Sequence, residues 1–369
     1  MLKKIISCIA ICLVLALALS SCDILINSPV ITPTYQYNDE FHWTTDGGEE
    51  RPHTFNDGVC TVCGCEKPEG DNGGEGEGEV DENPSKLDFT EYDTYAVVTG
   101  IGKNTDKHLV IPSTYNGKPV TEIAYRGLGN GMTAPQYETI TIPDSITYIG
   151  DEAFAECLRV LHIGKGLADI EDWTFWNSFL IEEITVDEEN PNFKVVDNVL
   201  YSKDGKTLVK YLGQKPDTEF TVPAGVEHIG AYSFHSCKNL TNIVLPEGLK
   251  TIGKGAFCWS DHLETINIPE GVTTVGDAVF GYTALTEVIF PDSVTSIGSD
   301  IFHYVEPLRR VHLGAGLETF PEALLCSIGG QVELTISEDN PYFVVIENVV
   351  YNRADMSVVL ENVYPYPYY

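Results

Sequence analysis

The sequence predicts a solenoid, in which short coils stack along one axis and share a continuous core. Three residue types recur at a period of 22 or 23 residues. They are the prolines Pro223, Pro246, Pro269 and Pro291, the glycines Gly230, Gly253, Gly276 and Gly298, and the phenylalanines Phe234, Phe257, Phe280 and Phe302. A unit of this length cannot bury its own apolar face, so each unit must stack on its neighbours.

Each unit contains a short strand, a tight corner and an aromatic residue. In Ile266–Pro269 the apolar residues alternate with a polar one, as in a strand with one buried face. Proline ends the strand because it has no N–H to donate. Gly276 suits a tight corner because it lacks a side chain. We expect Ala278 and Phe280 to turn inward, with the ring filling the centre of the coil.

The repeated phrase, L-x-x-I-x-I-P-x-x-V-x-x-I-G-x-x-A-F, closely resembles the BspA-like leucine-rich repeat family of bacterial surface proteins. Tyr95–Ile123 is similar to the segment with which repeats of that family usually begin. The resemblance implies a leucine-rich-repeat right-handed solenoid, α/β or mainly β, with a parallel β-sheet on one face. We expect this solenoid to occupy residues 91–369.

Two copies of one insert interrupt the repeats. Val186–Val209 and Ile336–Val359 share a pattern and lie 150 residues apart. Turn residues stand between apolar runs in each copy, and this pattern is typical of a hairpin. We therefore expect hairpin-like inserts near residues 186–212 and 336–360.

The N-terminus has the pattern of an export signal. Lys3 and Lys4 precede the apolar run Ile5–Leu19, which is shorter than a membrane-spanning helix. The following Leu-Ser-Ser-Cys resembles the lipobox of bacterial lipoproteins, in which the cysteine, here Cys22, carries acyl groups. The resemblance implies a signal peptide over residues 1–21 and a lipid-anchored chain, whereas an ordinary secretory signal would leave Cys22 unmodified. Residues 22–36 would form a tether.

Residues 37–66 contain a cluster of metal-ligand residue types: His42, His53, Cys60 and Cys63. These side chains can close a tetrahedral zinc site, and the segment resembles small zinc-ribbon-like modules of bacterial surface proteins. Four protein ligands would leave no open position, so the zinc would be structural. A disulfide in an oxidising compartment, or a disordered remnant, remains an alternative. No other cofactor is predicted.

Acidic residues dominate the chain and exclude one class of partner. The 22 Lys and Arg against 55 Asp and Glu give a net charge of −33. Nucleic acids and anionic lipids are polyanions that need a basic face, so we expect neither as a ligand. Residues 67–90 are rich in glycine and acidic residues, and this composition predicts a flexible, disordered linker.

The sequence contains no recognisable catalytic motif. The nucleophile-elbow, zinc-protease and phosphate-loop patterns are absent. Five histidines fall at repeat positions unrelated to one another: His228, His235, His262, His303 and His312. The chain is therefore predicted not to be an enzyme. Four cysteines within the repeats are expected to pack as small apolar groups: Cys157, Cys237, Cys258 and Cys326.

The outward residues of the predicted strands form a candidate binding surface. One residue per coil makes a first column, namely Thr141, His162, Thr185, Thr221, Val244, Asn267, Ile289, His312 and Thr335. The next column over is more acidic and contains Thr139, Val160, Glu183, Glu219, Asn242, Thr265, Glu287, Arg310 and Glu333. Val244 and Ile289 are possible anchors for a partner, although such residues also occur on ordinary strand surfaces.

A further column contains aromatic residues two positions after the core phenylalanine, as Trp259, Tyr282 and Tyr304. It would either bind sugar rings or apolar side chains, or pack neighbouring coils together. The combined pattern favours a lipid-anchored bacterial cell-surface protein that binds macromolecules, by protein–protein interaction and adhesion, through its solenoid. Its partner would be an extracellular or host matrix protein, or a cell-surface glycan. The alternative is a non-catalytic envelope-structural or carbohydrate- and cell-wall-binding protein.

Overall fold

The structure is a computed structural model whose chain forms two compact units, Met1–Glu77 and Gly78–Tyr369. In the second unit it describes residues 85–129, 137–154, 158–176, 178–321, 323–325, 328 and 331–361. In the first unit it describes only five short strands.

The five strands of the first unit are antiparallel. One sheet contains β1 (Tyr35–Tyr37), β2 (Phe41–Thr44) and β3 (Arg51–Pro52), and a separate hairpin contains β4 (Phe55–Asn56) and β5 (Val59–Cys60). Among the candidate zinc ligands, His42 lies on β2 and Cys60 on β5, for which the backbone alone is described. His53 and Cys63 lie outside the described residues, as does the candidate lipid site Cys22.

Parallel strands, one per coil, form the first ladder of the second unit, in three separate hydrogen-bonded sections of four, three and three strands. Its strands are β8 (His108–Val110), β11 (Tyr137–Ile142), β13 (Leu158–Ile163), β15 (Glu183–Val186), β19 (Glu219–Thr221), β21 (Asn242–Val244), β23 (Thr265–Asn267), β25 (Glu287–Ile289), β27 (Arg310–Leu313) and β28 (Glu333–Ile336). The middle residue of most of these strands is apolar and buried, as Ile140, Leu161 and Ile243 show. Its two neighbours then point outward because side chains alternate along a strand.

A second ladder follows the apolar pair that precedes each corner glycine. One hydrogen-bonded section contains β7 (Ala96–Gly100), β10 (Lys118–Ile123), β12 (Tyr148–Ile149) and β14 (Asp169–Ile170). A separate section contains β18 (Thr207–Tyr211), β20 (His228–Ile229), β22 (Thr251–Ile252), β24 (Thr274–Val275) and β26 (Ser296–Ile297). β6 (Asp88–Glu91) pairs antiparallel with β7 and ends this ladder on its N-terminal side, while β9 (Thr114–Tyr115) pairs with β10. The two ladders confirm the predicted solenoid with a parallel sheet, and no helix occurs in the described ranges.

The third side of each coil is a ladder of turns. The N–H of Phe234 donates to the carbonyl of Ala256 in the next coil at 2.8 Å, and Phe257 donates to Val279 in the same way at 3.0 Å. Residues two positions before and after each core phenylalanine make equivalent bonds and adopt left-handed backbone angles, such as Ala278 with φ 51°. The coils that contain Phe234, Phe257 and Phe280 are therefore hydrogen-bonded to their neighbours through turns as well as through strands.

This turn ladder corrects one prediction. Ala278 was expected to point inward beside Phe280, but it is only partly buried, while Val279 and Phe280 are fully buried. Ala278 aligns with Gly255, not with the alanine of the repeat phrase, Ala256. Residues with positive φ alternate with residues of negative φ in this turn, and this alternation points the side chain before the phenylalanine, here Val279, into the core.

The core is a column of rings along the solenoid axis. Successive ring centroids lie 5.3 Å apart for Phe234 and Phe257, 5.8 Å for Phe257 and Phe280, and 5.8 Å for Phe280 and Phe302. All four side chains are fully buried. Each ring thus fills its own coil and also packs against the rings of adjacent coils.

Each insert is a three-stranded antiparallel hairpin sheet. The first contains β16 (Phe193–Val196), β17 (Val199–Ser202) and β18, and the second contains β29 (Phe343–Ile346), β30 (Val349–Asn352) and β31 (Val358–Glu361). A buried asparagine anchors each insert to the preceding coil. Asn190 donates to the carbonyls of Gly164 and Leu167 and accepts from the N–H of Phe193. Asn340 has the same role in the second insert.

Ala278→Gly is expected to stabilise the solenoid by about 0.5–1 kcal/mol. A left-handed conformation costs a residue with a Cβ about 1–2 kcal/mol, and glycine avoids that cost at the expense of a more flexible unfolded chain. Urea unfolding measures the change. The control is Ala224→Gly at an exposed position without positive φ, which should lose about 0.5–1 kcal/mol. A loss at both positions would contradict the strain argument.

Candidate protein-binding surface

The structure places the first predicted column on one face of the first ladder. Thr141, His162 and Thr185 are paired in register, and so are Thr221, Val244 and Asn267. Ile289, His312 and Thr335 form a third group in register. The column also includes Val110, which pairs with Thr141 and which the sequence analysis missed. The stretch His108–Pro112 carries the same strand and proline phrase and was the available signal.

Three β-branched aliphatic residues of this column are exposed to solvent. The exposed fraction is 65% for Val110, 40% for Val244 and 55% for Ile289. Their neighbours in the column are threonine, histidine and asparagine. The face therefore presents separate apolar points on a rigid, mildly polar sheet, an arrangement that fits the apolar side chains of a protein partner.

The second predicted column lies beside the first, two residues earlier in each strand. Glu219, Asn242 and Thr265 are in register, as are Glu287, Arg310 and Glu333. Arg310 contacts Glu287 through an exposed ion pair at 3.1 Å. The strip formed by both columns is acidic over much of its length, because Glu183 and Glu219 also belong to it.

Histidine and threonine side chains connect adjacent coils on this face. The Nδ1 atom of His162 lies 2.6 Å from the Oγ1 atom of Thr185, and His312 lies 2.9 Å from Thr335 in the same arrangement. A similar pair, His228 and Thr251, joins coils of the second ladder at 2.8 Å. The two pairs on this face limit the orientations of their own side chains, which favours preorganisation of those parts of the strip.

The aromatic column is a stack whose rings cover one another. The ring centroids of Trp259 and Tyr282 lie 4.0 Å apart with an interplanar angle of 12°, and those of Tyr282 and Tyr304 lie 5.1 Å apart at 29°. All three residues adopt left-handed φ angles. Binding of a sugar ring would need an open aromatic face, and the inner faces of this stack are already occupied. The geometry favours packing between coils.

A second aromatic cluster joins the coils on either side of the first insert. Trp176 packs against Tyr232 and His235 with centroid distances of 4.7 Å, and Trp173 packs against Tyr232 at the same distance. The ammonium group of Lys254 lies 4.9 Å from the centre of the Trp173 ring. These contacts couple residues more than fifty positions apart in the sequence, which repeat periodicity alone did not indicate.

The two repeat cysteines whose side chains the structure describes are buried. Cys237 and Cys258 are free and buried, as expected, and burial raises the pKa of the Cys237 thiol to about 12. Such a thiol is protonated at neutral pH and is a poor nucleophile. Cys157 and Cys326 lie outside the described residues. Within the described ranges no group of three His, Cys, Asp or Glu side chains is arranged to hold a metal ion.

Comparison with known proteins identifies the family. Residues 132–204 and 213–327, more than half of the chain, match six copies of the BspA type leucine-rich repeat region. The chain belongs to this family. No curated protein matches it. Among the described residues, no helix is long and apolar enough to span a membrane.

Three solved structures of bacterial proteins are similar to this chain. The pneumococcal vaccine antigen PcpA is 25% identical, with a TM-score of 0.51, over 64% of this chain and 66% of that chain. A leucine-rich cell surface protein of Faecalibacterium prausnitzii is 20% identical, with a TM-score of 0.42, over 69% of this chain and 94% of that chain. A leucine-rich repeat protein of Bacteroides ovatus is 21% identical, with a TM-score of 0.40, over 68% and 70%.

The chain thus spans just under two thirds of the PcpA structure. Membership of the BspA type family, together with the likeness to PcpA, supports a repeat-based interaction protein. Proteins of this family are typically non-catalytic.

Proposed function

We propose that this BspA type protein is a lipid-anchored cell-surface protein that binds an extracellular or host matrix protein. The supporting observation is the first column on the sheet, where Val110, Val244 and Ile289 are exposed among side chains that adjacent coils hold in place. The lipobox-like sequence ending at Cys22 supports the anchor, and the glycine-rich stretch at 67–84 would separate the solenoid from the membrane. The linker is shorter than the predicted 67–90, because Leu87 is buried and β6 begins at Asp88. Binding through this surface would serve adhesion.

A protein partner is favoured over a glycan on physical grounds. The rings of the aromatic column stack on one another, so their inner faces are not open to a sugar. Isolated aliphatic side chains on a rigid sheet instead match apolar side chains of a protein, with threonine and histidine available for polar contacts at the rim. A solenoid also offers many coils in sequence, which suits an extended partner.

The double substitution Val244→Glu with Ile289→Glu is expected to reduce binding of a captured matrix protein by at least about tenfold, because both apolar points become charged. The free energy of unfolding should change by less than about 1 kcal/mol, since both side chains are exposed. The measurement is surface binding of the chain carrying Cys22→Ser to a panel of immobilised matrix proteins, followed by urea unfolding of each variant.

The matched control is Val196→Glu with Ile346→Glu. These two β-branched residues lie at equivalent positions of the two inserts and are 48% and 46% exposed. They introduce the same charge away from the column, so binding should stay within about twofold of the parent. Equal loss in both double variants would show a charge effect of the whole protein. No saturable binding to any matrix protein or glycan would favour an envelope-structural role.

The N-terminal module is proposed to hold a structural zinc ion through His42, His53, Cys60 and Cys63. Elemental analysis of the purified chain should find about one zinc ion per molecule, because four protein ligands close one tetrahedral site. The double substitution Cys60→Ser with Cys63→Ser should abolish it. A zinc-free parent protein with a disulfide between Cys60 and Cys63 would refute the proposal.

A further inference from the structure

The two inserts provide an internal comparison of the coils that precede them. Arg159 and Arg309 lie 150 residues apart at equivalent repeat positions, Arg159 near the start of β13 and Arg309 directly before β27. Arg159 forms an ion pair with Glu182 of the next coil. The counterpart of Glu182 is Val332, whose exposed fraction is 2%. The second copy therefore lacks the carboxylate that neutralises the arginine in the first.

Arg309 has no carboxylate partner among the described residues. Its Nη1 atom donates to the backbone carbonyls of Glu306 and Leu308, both at 2.8 Å. Carbonyl oxygens hold the guanidinium in place but do not cancel its charge. An exposed arginine without a counter-ion is unexpected in a chain with a net charge of −33.

This arginine lines a cavity of about 660 Å³ beside the second insert. Arg310, Gln331, Glu333 and Asn348 also line it. The Oδ1 atom of Asn348 accepts from the N–H of Leu334 and its Nδ2 atom donates to the carbonyl of Val332, each at 3.0 Å, so this wall is fixed. The volume lies in the range typical of small-molecule and side-chain sites.

Arg310 connects the cavity to the candidate binding surface. It lines both the cavity and an adjoining hollow of about 270 Å³ that also contains Ile289, His312 and Thr335. Its charge is offset by Glu287 at 3.1 Å. An extended segment that binds along the strip can therefore contact the side chain of Ile289 and, within one or two residues, both arginines.

The charges on the cavity wall select the ligand. Arg309 and Arg310 contribute two positive charges to the wall and Glu333 contributes one negative charge, while Glu287 lies beside Arg310 in the adjoining hollow. Arg309 remains as the uncompensated group, so a ligand with one negative charge fits better than a dianion such as phosphate. A planar guanidinium also matches the two oxygens of a carboxylate.

We propose that this cavity binds the carboxylate of an aspartate or glutamate on an extended segment of the protein partner, with an adjacent aliphatic side chain on Ile289. The inference rests on the proposed function and names the chemistry that its surface recognises. Glutamine in place of glutamate would lose the charged contact with Arg309.

The test uses two labelled peptides, blocked at both ends, with the sequences Gly-Leu-Glu-Leu-Gly and Gly-Leu-Gln-Leu-Gly. Fluorescence anisotropy with the full chain carrying Cys22→Ser should show saturable binding of the glutamate peptide at least about tenfold tighter than the glutamine peptide. Arg309→Gln should remove most of this preference. Arg159→Gln, which removes the paired arginine of the first copy, should leave it unchanged. Circular dichroism confirms that each variant is folded.

Equal binding of the two peptides, no binding of either, or an unchanged preference in Arg309→Gln would overturn the inference. The proposed function is judged separately, through the dependence of matrix-protein binding on Val244 and Ile289. If that dependence holds while the peptides fail, the sheet binds a partner and the arginine cavity does not. If it fails as well, both are wrong.

Discussion

Replacing Phe257 with alanine is expected to lower the free energy of unfolding by about 3–5 kcal/mol, the range for a fully buried aromatic residue. The ring is completely buried between those of Phe234 and Phe280 at 5.3 and 5.8 Å. Its removal leaves a cavity that faces two neighbouring coils. Because a solenoid is stabilised by contacts between adjacent units, both neighbours lose stability with it.

Urea unfolding followed by circular dichroism measures this loss. The control is Tyr342→Ala, since Tyr342 lies outside the ring column and is 46% exposed. Its truncation should cost less than about 1 kcal/mol, as is usual at the surface. A loss below about 1 kcal/mol for Phe257→Ala would show that the coils collapse around the vacant space.

Lys210→Met is expected to stabilise the protein at pH 7, by up to about 3 kcal/mol. Lys210 is fully buried, and among the described residues its Nζ atom donates to the carbonyl of Tyr232 alone, at 3.2 Å. Burial lowers the pKa of the ammonium group from 10.5 to about 8, and a shift of this size corresponds to about 3 kcal/mol of unfavourable charge burial. Methionine fills a similar space without charge. The second insert already has Leu360 at this position.

The pH dependence of stability gives an independent check. Between about pH 8 and pH 10.5 Lys210 is neutral in the folded state but still protonated in the unfolded state. The unfolded state then binds more protons, so the contribution of Lys210 to stability rises with pH across this window. Cys237 acts in the opposite direction above pH 9, because its folded pKa is raised to about 12.

Comparing the parent protein with Lys210→Met largely cancels the contribution of Cys237. The stability advantage of the methionine variant should therefore be largest below pH 8 and shrink toward pH 10, as urea unfolding at several pH values will show. A methionine variant that is less stable at pH 7, or an advantage that does not change with pH, would mean that Lys210 is stabilised by contacts other than the one with Tyr232.

Repeat periodicity accounts for most of the fold that was predicted. Repeats of 22 or 23 residues with alternating apolar positions bury those positions together when they stack as a solenoid, so every copy buries the same positions. For this reason the sequence predicts one outward column for Thr141, Val244 and Ile289, and strand register places each of them at that position. The turn side of each coil is harder to predict from the sequence. The left-handed residue at position 278 makes Val279, and not Ala278, the inward residue, so the prediction for Ala278 was wrong.

The candidate site likewise has features that the sequence predicts and features that only the structure shows. The sequence identified the outward columns, since a strand exposes alternate residues whatever its neighbours are. It did not identify Arg309. An arginine is always charged, and whether a carboxylate neutralises that charge depends on which residue of the next coil lies beside it. Only pairing of the coils shows that Glu182 neutralises Arg159 while Val332 takes that place beside Arg309.

The sequence by itself determined the family, the solenoid, the period of its coils, the position of both inserts and the outward columns. These features follow from local pattern and from the burial that stacking requires. The tertiary structure decided which groups share an environment: the stacked faces of Trp259 and Tyr282, the buried ammonium of Lys210 and the uncompensated Arg309. These depend on contacts between coils, where charge, desolvation and ring packing are set by distance in space and not by separation along the chain.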